Sequence, residues 1–413
     1  MNALDPSVVA TVKATAPRLA RRGRAIVARA YERLFAANPE LKALFNPAHM
    51  TPDRQIGALA EALVAYAQNL DRLETFAPAL ERIAQKHVTL SIHPDQYALL
   101  GKQLLAALQE GFGAAATPQV MNAWALAYQA LADLFIGREK ALYARRLQGP
   151  GGWVGLREFR VIRKVLESPT VASFYLAPTD GNGLPSFHPG QYVSVHIAPL
   201  AHAGAWRIYS LSDRPRAEHF RISVKREARN RFGSAGVFSN HLHDAVQEGD
   251  AVPLGPPAGD FFLPEGLTRP VVLLSGGIGI APLLSMLNDL AFRGHPAPVY
   301  FIHGTANGRT HAFGQEVTDL CSRRPQFIRH VRYAKPTPRC MPDRDYDGVG
   351  LVNAAVVASL VGSPRRAEYF LCGPQPFMRA LYGGLIRAGI PARRIHFEFF
   401  GPHAAVTGRG RRQ

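Results

Sequence analysis

The stretch QGPGGWVG, from Gln148 to Gly155, separates two parts of the chain that follow different patterns. Four glycines and a proline in eight residues end a regular helix. Before this stretch, from Asp5 onward, apolar residues recur at intervals of three and four, which is typical of helices. After Trp153 apolar and polar residues alternate, which is typical of strands. The chain therefore changes from helices to strands near Pro150.

The helical part predicts an all-α domain over residues 1–148, with six to eight helices. Proline-led stretches provide natural helix starts, because proline fits the first helical position. Four such stretches occur: NPELKALF at 38–45, TPDRQ at 51–55, HPDQYALL at 93–100 and TPQVMNAW at 117–124. A chain of 413 residues has room for two or three domains, each with its own core.

The middle part predicts an antiparallel β-barrel over residues 152–265. Its short strands lie between turns rich in Pro, Gly, Asn and Asp. The predicted strands are FRVIRKVLES at 159–168, VASFYLAP at 171–178, GQYVSVHIAP at 190–199, WRIYSLSD at 206–213 and HFRISVKRE at 219–227.

The last part predicts a doubly wound α/β domain over residues 268–413. Continuous apolar strands alternate with helical segments here, which is typical of a parallel sheet covered on both faces. The predicted strands are VVLLSGG at 271–277, APVYFIHG at 297–304, AEYFLCGP at 367–374 and RIHFEFFGP at 394–402. The domain order is therefore all-α, antiparallel β, then α/β.

Composition restricts the class of protein. The net charge is +17, but the basic residues form short scattered clusters without interleaved aromatic residues, which disfavours nucleic acid and favours attraction of an anionic cofactor. No run of about 20 apolar residues and no secretory leader pattern is present, so we expect a cytoplasmic protein without membrane insertion. Three widely spaced cysteines predict reduced thiols rather than disulfides or a thiolate metal site.

Three polar side chains lie on predicted apolar helix faces of the first domain. His87 follows Leu80 and Ile83 in ALERIAQKHVTL at 79–90, and Glu139 lies four residues beyond Phe135. Gln55 precedes Leu59 at the same spacing. Any one of these alone is most often a satisfied core residue. Together they favour an iron porphyrin site, in which a histidine binds the metal, a carboxylate accepts its other ring N–H and an amide donates to bound gas.

The first domain resembles the globin domain of flavohaemoglobins. The resemblance is carried by NPELKALFN at 38–46, ERIAQKH at 81–87 and FIGREKALY at 135–143. It implies haem b with His87 as the proximal iron ligand. It further implies a proximal network of Tyr97 and Glu139, distal hydrogen-bonding residues Tyr31 and Gln55, a distal gate at Leu59, haem packing by Phe45, and an influence of Lys86 on the haem and flavin potentials.

The stretch RIYSLS at 207–212 resembles the flavin motif of ferredoxin-reductase-type domains, as does GVFSN at 236–240. RIYSLS alone is more compatible with an ordinary strand. The motifs that follow it in the chain favour the flavin-binding interpretation. The resemblance implies FAD, with Arg207 on the pyrophosphate, Tyr209 stacked on the ring and Ser210 near the hydride-accepting nitrogen. The remaining implied flavin contacts are Tyr192, Ile208, Lys225, Gly236 and Ser239.

Three further stretches resemble the nicotinamide-binding part of the same reductases. GGIGIAP at 276–282 is a glycine-rich turn between a strand and a helix, which suits a pyrophosphate, although Ile280 and Ala281 replace the Gln-Thr usual in the family. YFLCGPQPFM at 369–378 and HFEFFGP at 396–402 follow it. The implied NAD(P)H and flavin contacts are Gly277, Ile278, Gly279, Ile280, Ala281, Pro282, Cys372, Gly373, Pro374, Glu398, Phe399, Phe400, Gly401 and Pro402.

The resemblance implies a nitric oxide dioxygenase, which converts nitric oxide and dioxygen to nitrate at a haem that NAD(P)H reduces through FAD, and which detoxifies nitric oxide. Two alternatives stay open. One is a haem-based oxygen carrier or gas sensor with an attached reductase. The other is a flavin or alkyl-hydroperoxide reductase, for which an apolar distal pocket at Ala58, Leu59 and Val64 leaves room. We expect a monomer; the sequence does not discriminate between NADH and NADPH.

Overall fold

The computed structural model describes residues 4–45, 55–198, 200, 206–227 and 236–400. The chain divides into two compact units. The first comprises residues 1–157 and 194–207, and the second comprises residues 158–193 and 208–413. The three predicted domain ranges, 1–148, 152–265 and 268–413, stay predictions. Among the described residues, no helix is both long enough and apolar enough to cross a membrane.

The first unit is helical, as predicted. Its α-helices are α1 Pro6–Ala37, α2 Gln55–Gln68, α3 Ala77–Thr89, α4 Pro94–Phe112 and α5 Pro118–Gln148. Helices α4 and α5 begin at the predicted prolines, whereas Pro39–Leu44 forms only a short 3₁₀ helix. The predicted start TPDRQ lies outside the described residues, except for Gln55. The described part has five α-helices instead of six to eight, because α1 runs unbroken for 32 residues.

Side-chain caps define two of these helix starts. The Asp5 side chain accepts a hydrogen bond from the Ser7 backbone N–H at 2.7 Å, and Pro6 occupies the first position of α1. The Thr117 hydroxyl accepts from the Val120 N–H at 3.3 Å before α5. Such caps satisfy N–H groups that have no partner inside the helix. The local sequence therefore fixes where α1 and α5 begin.

Two apolar clusters form the core of the first unit. The larger one includes Leu19 and Leu104, and a Cβ built on Gly23 of α1 would lie at ordinary contact distance, 3.5 Å, from the Ala60 Cβ of α2. The smaller one surrounds α3 and α5. Tyr128 and Leu131 of α5 pack against both clusters. Helix α5 therefore links the two parts of the core.

A six-stranded sheet follows the helices. Its strands are β1 Arg157–Ser168, β2 Val171–Pro178, β3 Tyr192–His196, β4 Trp206–Ser210, β5 Phe220–Lys225 and β6 Ala251–Leu254, in the order β4-β3-β6-β1-β2-β5. Strand β2 pairs antiparallel with β1 and with β5, where Phe174 faces Ile222. The predicted antiparallel β fold is confirmed. The sequence analysis missed β6 and the short helix α6 at Val237–Asp244.

A second six-stranded sheet alternates with helices. In chain order its elements are β7 Val271–Gly276, α7 Ile280–Arg293, β8 Val299–Thr305, α8 Gly314–Ser322, β9 Phe327–Tyr333, β10 Gly348–Val349, α9 Ala354–Leu360, β11 Glu368–Cys372, α10 Gln375–Arg387 and β12 Ile395–Glu398. The strand order is β10-β9-β8-β7-β11-β12, and the neighbouring strands are parallel. The predicted doubly wound fold is confirmed, with β9, β10 and α9 as additions.

Both faces of this parallel sheet are covered. Leu273 and Phe370 belong to one apolar cluster, while their neighbours Leu274 and Leu371 belong to another. Successive strand residues point to opposite faces, so continuous apolar strands need a layer of helices on each side. From β7 the chain proceeds to β8 on one side and later returns to β11 on the other. Ligands of open α/β sheets bind at the carboxyl edge of such a switch point.

Candidate functional site

A hydrogen-bonded triad lies between α3, α4 and α5. His87 Nδ1 lies 2.7 Å from the Tyr97 hydroxyl and 2.8 Å from Glu139 Oε1. The Tyr97 hydroxyl also donates a hydrogen bond to Glu139 Oε1. Glu139 is 2% exposed. The structure thus brings together the three proximal residues that the sequence predicted.

The triad determines which ring nitrogen of His87 carries the proton. A carboxylate accepts hydrogen bonds, so the Nδ1–H is directed at Glu139 and the lone pair lies on Nε2. Among the described residues no hydrogen bond to Nε2 is formed. Histidines that bind metals use this arrangement, in which the second ring nitrogen donates to a carboxylate. The donor set therefore fits an iron ligand at Nε2.

The pKa of the Tyr97 hydroxyl is raised, first by burial and then by the neighbouring charge of Glu139. Tyr97 therefore keeps its proton at neutral pH and donates it to the carboxylate. Two residues that the sequence analysis did not place in the site support it. The Tyr128 hydroxyl donates to the Tyr97 carbonyl oxygen at 2.6 Å, and Phe135 lies with its ring centroid 5.7 Å from that of His87. Gly101 leaves the space that the Tyr128 ring fills.

The face of α3 that carries His87 is only partly covered by protein. Ala84 and Val88 are fully buried, whereas Leu80, Ile83 and His87 remain partly accessible. Apolar side chains beside an accessible imidazole require an apolar occupant to exclude water. A flat porphyrin fits this face. Leu80 and Ile83, on the predicted apolar face of α3, are thus accessible enough to line a haem pocket.

The distal residues form a second group in the same unit. The Gln55 amide donates to the Tyr31 hydroxyl at 3.5 Å, and the Phe45 ring lies edge-on to the Tyr31 ring at 5.4 Å. Burial raises the pKa of Tyr31, so its hydroxyl is protonated at neutral pH. Leu59 is partly buried against the same cluster. Tyr31 is buried in apolar surroundings, whereas Gln55, predicted on an apolar helix face, is exposed at the first residue of α2.

Three of the predicted residues in this region have less specific surroundings. Lys86 lies in the last turn of α3, partly exposed. Ala58 is exposed and Val64 is partly buried on α2. The described contacts of Lys86, Ala58 and Val64 do not test the roles that the sequence analysis predicted for them.

The predicted flavin motif lies on β4. Arg207, Ile208 and Tyr209 are partly exposed there, and Ser210 is buried. Tyr209 lies 6.3 Å from Phe238 of α6, measured between ring centroids. A partly exposed aromatic side chain on a strand suits stacking on a flat ring. Tyr192 of β3 is buried against Gly259, where a Cβ would lie 2.9 Å from its ring. Its predicted flavin contact stays a prediction.

The start of α6 is the second predicted flavin element. The Ser239 hydroxyl donates to the Gly236 carbonyl oxygen at 3.0 Å and accepts from the Glu227 N–H at 3.1 Å. Lys225, at the end of β5, forms an ion pair with Glu227 at 3.4 Å. Residues 228–235 lie outside the described residues. The Ser239 hydroxyl thus links Glu227 to the start of α6, and the predicted pyrophosphate contacts of Gly236 and Ser239 stay predictions.

The two predicted nicotinamide motifs lie side by side at the carboxyl edge of β7 and β11. A Cβ on Gly279 would lie 2.2 Å from the Cys372 carbonyl oxygen, and a Cβ on Gly373 would lie 3.1 Å from the Gly276 Cα. Gly277 has a φ of 54°, in the left-handed region that favours glycine. Helix α7 begins at Ile280, immediately after the turn, and Ala281 and Pro282 form its first turn. The arrangement fits a pyrophosphate at a helix N-terminus.

The third nicotinamide motif lies at the same edge. Glu398 ends β12 and is aligned with Cys372 of the neighbouring strand. Burial, and then the charge of Glu398, raises the pKa of the Cys372 thiol. Phe399 is partly buried against the core, whereas Phe400 is 51% exposed. Gly401 and Pro402 lie outside the described residues. The contacts predicted for Phe399 and Phe400 stay predictions.

Comparisons with known proteins agree with this architecture. Residues 28–134 match the globin family model, and residues 273–382 match that of the oxidoreductase NAD-binding domain. The flavohemoprotein of Bordetella parapertussis is 45% identical over 96% of this chain and 98% of its own length. That of Halalkalibacterium halodurans is 42% identical over 96% of both chains.

Two solved structures are similar as well. A flavohemoglobin from Malassezia yamatoensis, with bound FAD and heme, has a TM-score of 0.81 and 25% identity over 96% of this chain and all of that one. The FAD/NAD-binding domain of a nitric oxide dioxygenase from Vibrio cholerae has a TM-score of 0.52 and 34% identity, and it covers 60% of this chain and 99% of that one.

Fold and site together define an oxidoreductase in which a globin precedes a reductase that binds FAD and a nicotinamide dinucleotide. Its cofactors are haem, FAD and NAD(P)H. The extent of the identity, over nearly the whole length of both chains, shows more than a shared fold. The chain belongs to the flavohemoprotein family.

Proposed function

We propose that this protein is a nitric oxide dioxygenase, which uses NAD(P)H to convert nitric oxide and dioxygen to nitrate. The observation that carries the proposal is the hydrogen bond from His87 Nδ1 to the buried Glu139 carboxylate, at 2.8 Å. When bound, FAD would convert a hydride from NAD(P)H into single electrons, and haem would use them to combine dioxygen with nitric oxide as nitrate.

The proximal residues favour this chemistry over reversible oxygen storage. Hydrogen bonding to Glu139 gives the imidazole of His87 partial imidazolate character, which makes Nε2 a stronger electron donor to a metal. Tyr97 donates to the same carboxylate and holds it in place. An oxygen carrier gains nothing from such donation, because its ligand must leave unreacted.

The distal residues act on the substrate side. We assign Tyr31 and Gln55 the role of donating hydrogen bonds to dioxygen as it acquires negative charge. Preorganised donors of this kind stabilise developing charge without reorganisation in the reaction. Burial keeps Tyr31 protonated, and Phe45 fixes its ring. Leu59 would limit access on the same side.

In the second unit we assign the backbone N–H groups at Gly277–Gly279 to the nucleotide pyrophosphate. Cys372, Gly373, Pro374 and Glu398 line the edge where a nicotinamide ring would approach the flavin. Tyr209 and Ser210 would bind the flavin ring, and Arg207 its pyrophosphate. The similar Vibrio cholerae protein is a nitric oxide dioxygenase, which supports the assignment.

The test is turnover by the purified holoprotein. We expect rapid nitric oxide consumption that requires both dioxygen and NAD(P)H, with two nitrate molecules formed for each NAD(P)H oxidised, because a hydride carries two electrons. Consumption is followed with a nitric oxide electrode, and nitrate is assayed separately. Haem and flavin absorption with nitric oxide consumption no faster than that of free haem would contradict the proposal and favour a carrier, a sensor or a hydroperoxide reductase.

A further inference from the structure

A buried ion pair connects the barrel to the α/β sheet inside the second unit. Arg221 of β5 is 4% exposed. Its Nη1 and Nη2 donate to Glu316 Oε2 and Oε1 of α8 at 2.8 Å and 2.9 Å. Two parallel N–H···O bonds fix both distance and orientation, which a single contact does not. No residue of the flavin or nicotinamide motifs takes part in this pair.

The guanidinium of Arg221 also reaches the flavin side. Its Nη2 donates to the carbonyl oxygen of Ser212. Ser212 lies two residues beyond Ser210, the end of β4, which carries the predicted flavin contacts. One side chain therefore holds both the end of the flavin strand and the first turn of α8.

Glu316 extends the connection to the nucleotide side. The Asn288 amide of α7 donates to its Oε1 at 2.8 Å. Helix α7 is the helix that begins at the glycine turn. A second tie runs directly between the same segments, because the Ser285 hydroxyl of α7 donates to the Asp213 carbonyl oxygen at 2.7 Å. The flavin strand and the nucleotide helix are thus connected through Arg221–Glu316 and through Ser285.

A strained residue orients α8 for this contact. Phe313, immediately before α8, has a φ of 62°, which is uncommon for a bulky side chain. Its buried ring lies 5.4 Å from the Arg221 guanidinium carbon. Strain of this kind persists where surrounding contacts impose it, and it is frequent near functional sites. Here it directs the first turn of α8, and with it Glu316, at Arg221.

We propose that Arg221 and Glu316 are positioning residues for hydride transfer, which hold the flavin strand and the nucleotide helix at the distance the reaction needs. This rests on the proposed reductase function. In that step the dihydronicotinamide gives a hydride, which is one hydrogen nucleus with two electrons, to oxidised FAD; NAD(P)⁺ and FADH⁻ result. Neither residue touches the reacting atoms, so their effect is on geometry, to which transfer rates are steeply sensitive.

The experiment compares Glu316→Gln, Arg221→Met and the double variant with the wild-type holoprotein. Anaerobic stopped-flow gives the limiting rate of flavin reduction and the Kd of the nucleotide, with whichever of NADH and NADPH reduces the wild-type flavin faster. We expect each single variant to lose roughly 10-fold in limiting rate with Kd nearly unchanged. The deuterium isotope effect from nucleotide labelled at the transferred position should increase. The double variant should lose less than the product of the two single losses, because both changes break the Arg221–Glu316 contact.

The matched control is Asp347→Asn. Asp347 pairs with the largely buried Arg329 at 3.3 Å, entirely within the α/β sheet. The Asp347→Asn variant should have the same limiting rate of flavin reduction as the wild type. An unchanged rate in Glu316→Gln, a rate loss proportional to loss of FAD, or an equal loss in Asp347→Asn would overturn the proposal. Because Glu316 is less buried than Arg221, the Gln variant tests the idea even if Arg221→Met fails to fold.

The readout separates this proposal from the proposed function. Flavin reduction precedes any reaction of nitric oxide. If the wild-type flavin is reduced by nucleotide but no nitrate forms, the nitric oxide dioxygenase assignment fails while the comparison of variants still decides the role of the pair. If neither NADH nor NADPH reduces the wild-type flavin, the positioning role fails as well.

Discussion

The His87 triad and the glycine turn at Gly277–Gly279 differ in what they require: the triad requires particular side chains, and the turn requires that side chains be absent. The triad is made of three side chains from three helices, with Nδ1 within 2.8 Å of both partners. The turn is made of backbone, and its neighbours lie so close that no side chain fits on Gly279. One site depends on the chemistry of particular groups, and the other on their absence. Removing a group should damage the first, and adding a methyl group should damage the second.

The largest effect is expected for His87→Ala. The variant loses the one nitrogen that the triad prepares for iron, so haem should be lost and the Soret band should disappear. The flavin spectrum and flavin reduction by nucleotide should persist. Absorption spectra and haem assay of the purified protein check this. The control His93→Ala changes an exposed histidine immediately before α4, and this variant should keep its haem. Full haem content in His87→Ala would contradict the proximal role.

The next largest effect is expected for Gly279→Ala. The added Cβ would lie 2.2 Å from the Cys372 carbonyl oxygen, so the turn and β11 must separate. Displacement of about 1 Å should slow flavin reduction by nucleotide on the order of 10²-fold. Stopped-flow reduction measures it, and the haem spectrum should be unaffected.

The matched control for the glycine turn is Gly183→Ala. No atom lies within 4 Å of a Cβ built there. Flavin reduction should therefore match the wild type. Normal reduction in Gly279→Ala would show that close approach of the two motifs is unnecessary.

Glu139→Gln tests the chemistry of the triad without changing its volume. The glutamine amide has the shape of the carboxylate but no charge. Nε2 of His87 should therefore donate electrons to the iron less strongly. We expect haem to be retained, the iron–histidine stretching frequency to fall, and nitric oxide turnover to fall about 10- to 100-fold. Resonance Raman and electrode assays measure these. Asp133→Asn, at an exposed position of α5, should change neither quantity; an unchanged frequency in Glu139→Gln would contradict the proposed donation.

Tyr31→Phe removes one of two distal donors and should have a smaller effect. We expect about a 10-fold loss in nitric oxide turnover with haem content and flavin reduction unchanged. Gln55 remains as a donor. Tyr66→Phe is the matched control, since the Tyr66 hydroxyl donates only to the Ala127 carbonyl oxygen at 2.8 Å. Equal turnover in the wild type and Tyr31→Phe would refute the distal role.

The smallest effect concerns pH. Burial lowers the pKa of His311 to about 4, and its ring stacks on that of the buried His303 at 5.2 Å. The unfolded chain binds the proton near pH 6.5 and the folded chain near pH 4, so stability is present above pH 6.5 and is lost as pH falls toward 4. Since the ring keeps some solvent contact, His311 should account for about 2 kcal/mol of that loss.

Thermal unfolding of the holoprotein at pH 7 and pH 5 measures the effect of pH. His311→Gln should reduce the difference between the two midpoints, whereas His241→Gln should not. An undiminished difference in His311→Gln would show that the acid sensitivity arises elsewhere.

The sequence predicted the fold class because the period of its apolar residues changes at 148–155 and again near Pro270. It missed β6, α6, β9, β10 and α9. FIRHVRY, which forms β9, carries three basic or imidazole side chains among its seven residues, so its composition does not indicate a buried strand. Tertiary pairing with β8 decides its conformation, which local pattern cannot reveal.

Most of the haem site was visible in the sequence, because a polar residue on an apolar helix face is conspicuous. His87 and Glu139 were found in this way and by resemblance, and Tyr97 by resemblance alone. Tyr128 was not found, because a tyrosine on an apolar helix face is usually a core residue. Only the structure shows that its hydroxyl donates to the Tyr97 carbonyl oxygen. Arg221 was equally hidden, because an arginine in an alternating strand is expected to face solvent.

By itself the sequence determined the order of the three folds, because periodicity is a local property, and its resemblance to flavohaemoglobins implied the cofactors and the groups that could bind them. Only the tertiary structure decided which groups meet. Glu139 and His87, which are in contact, lie 52 residues apart in the chain, and Arg221 and Glu316 lie 95 residues apart. Such contacts depend on how elements pack, and packing is a property of the whole chain.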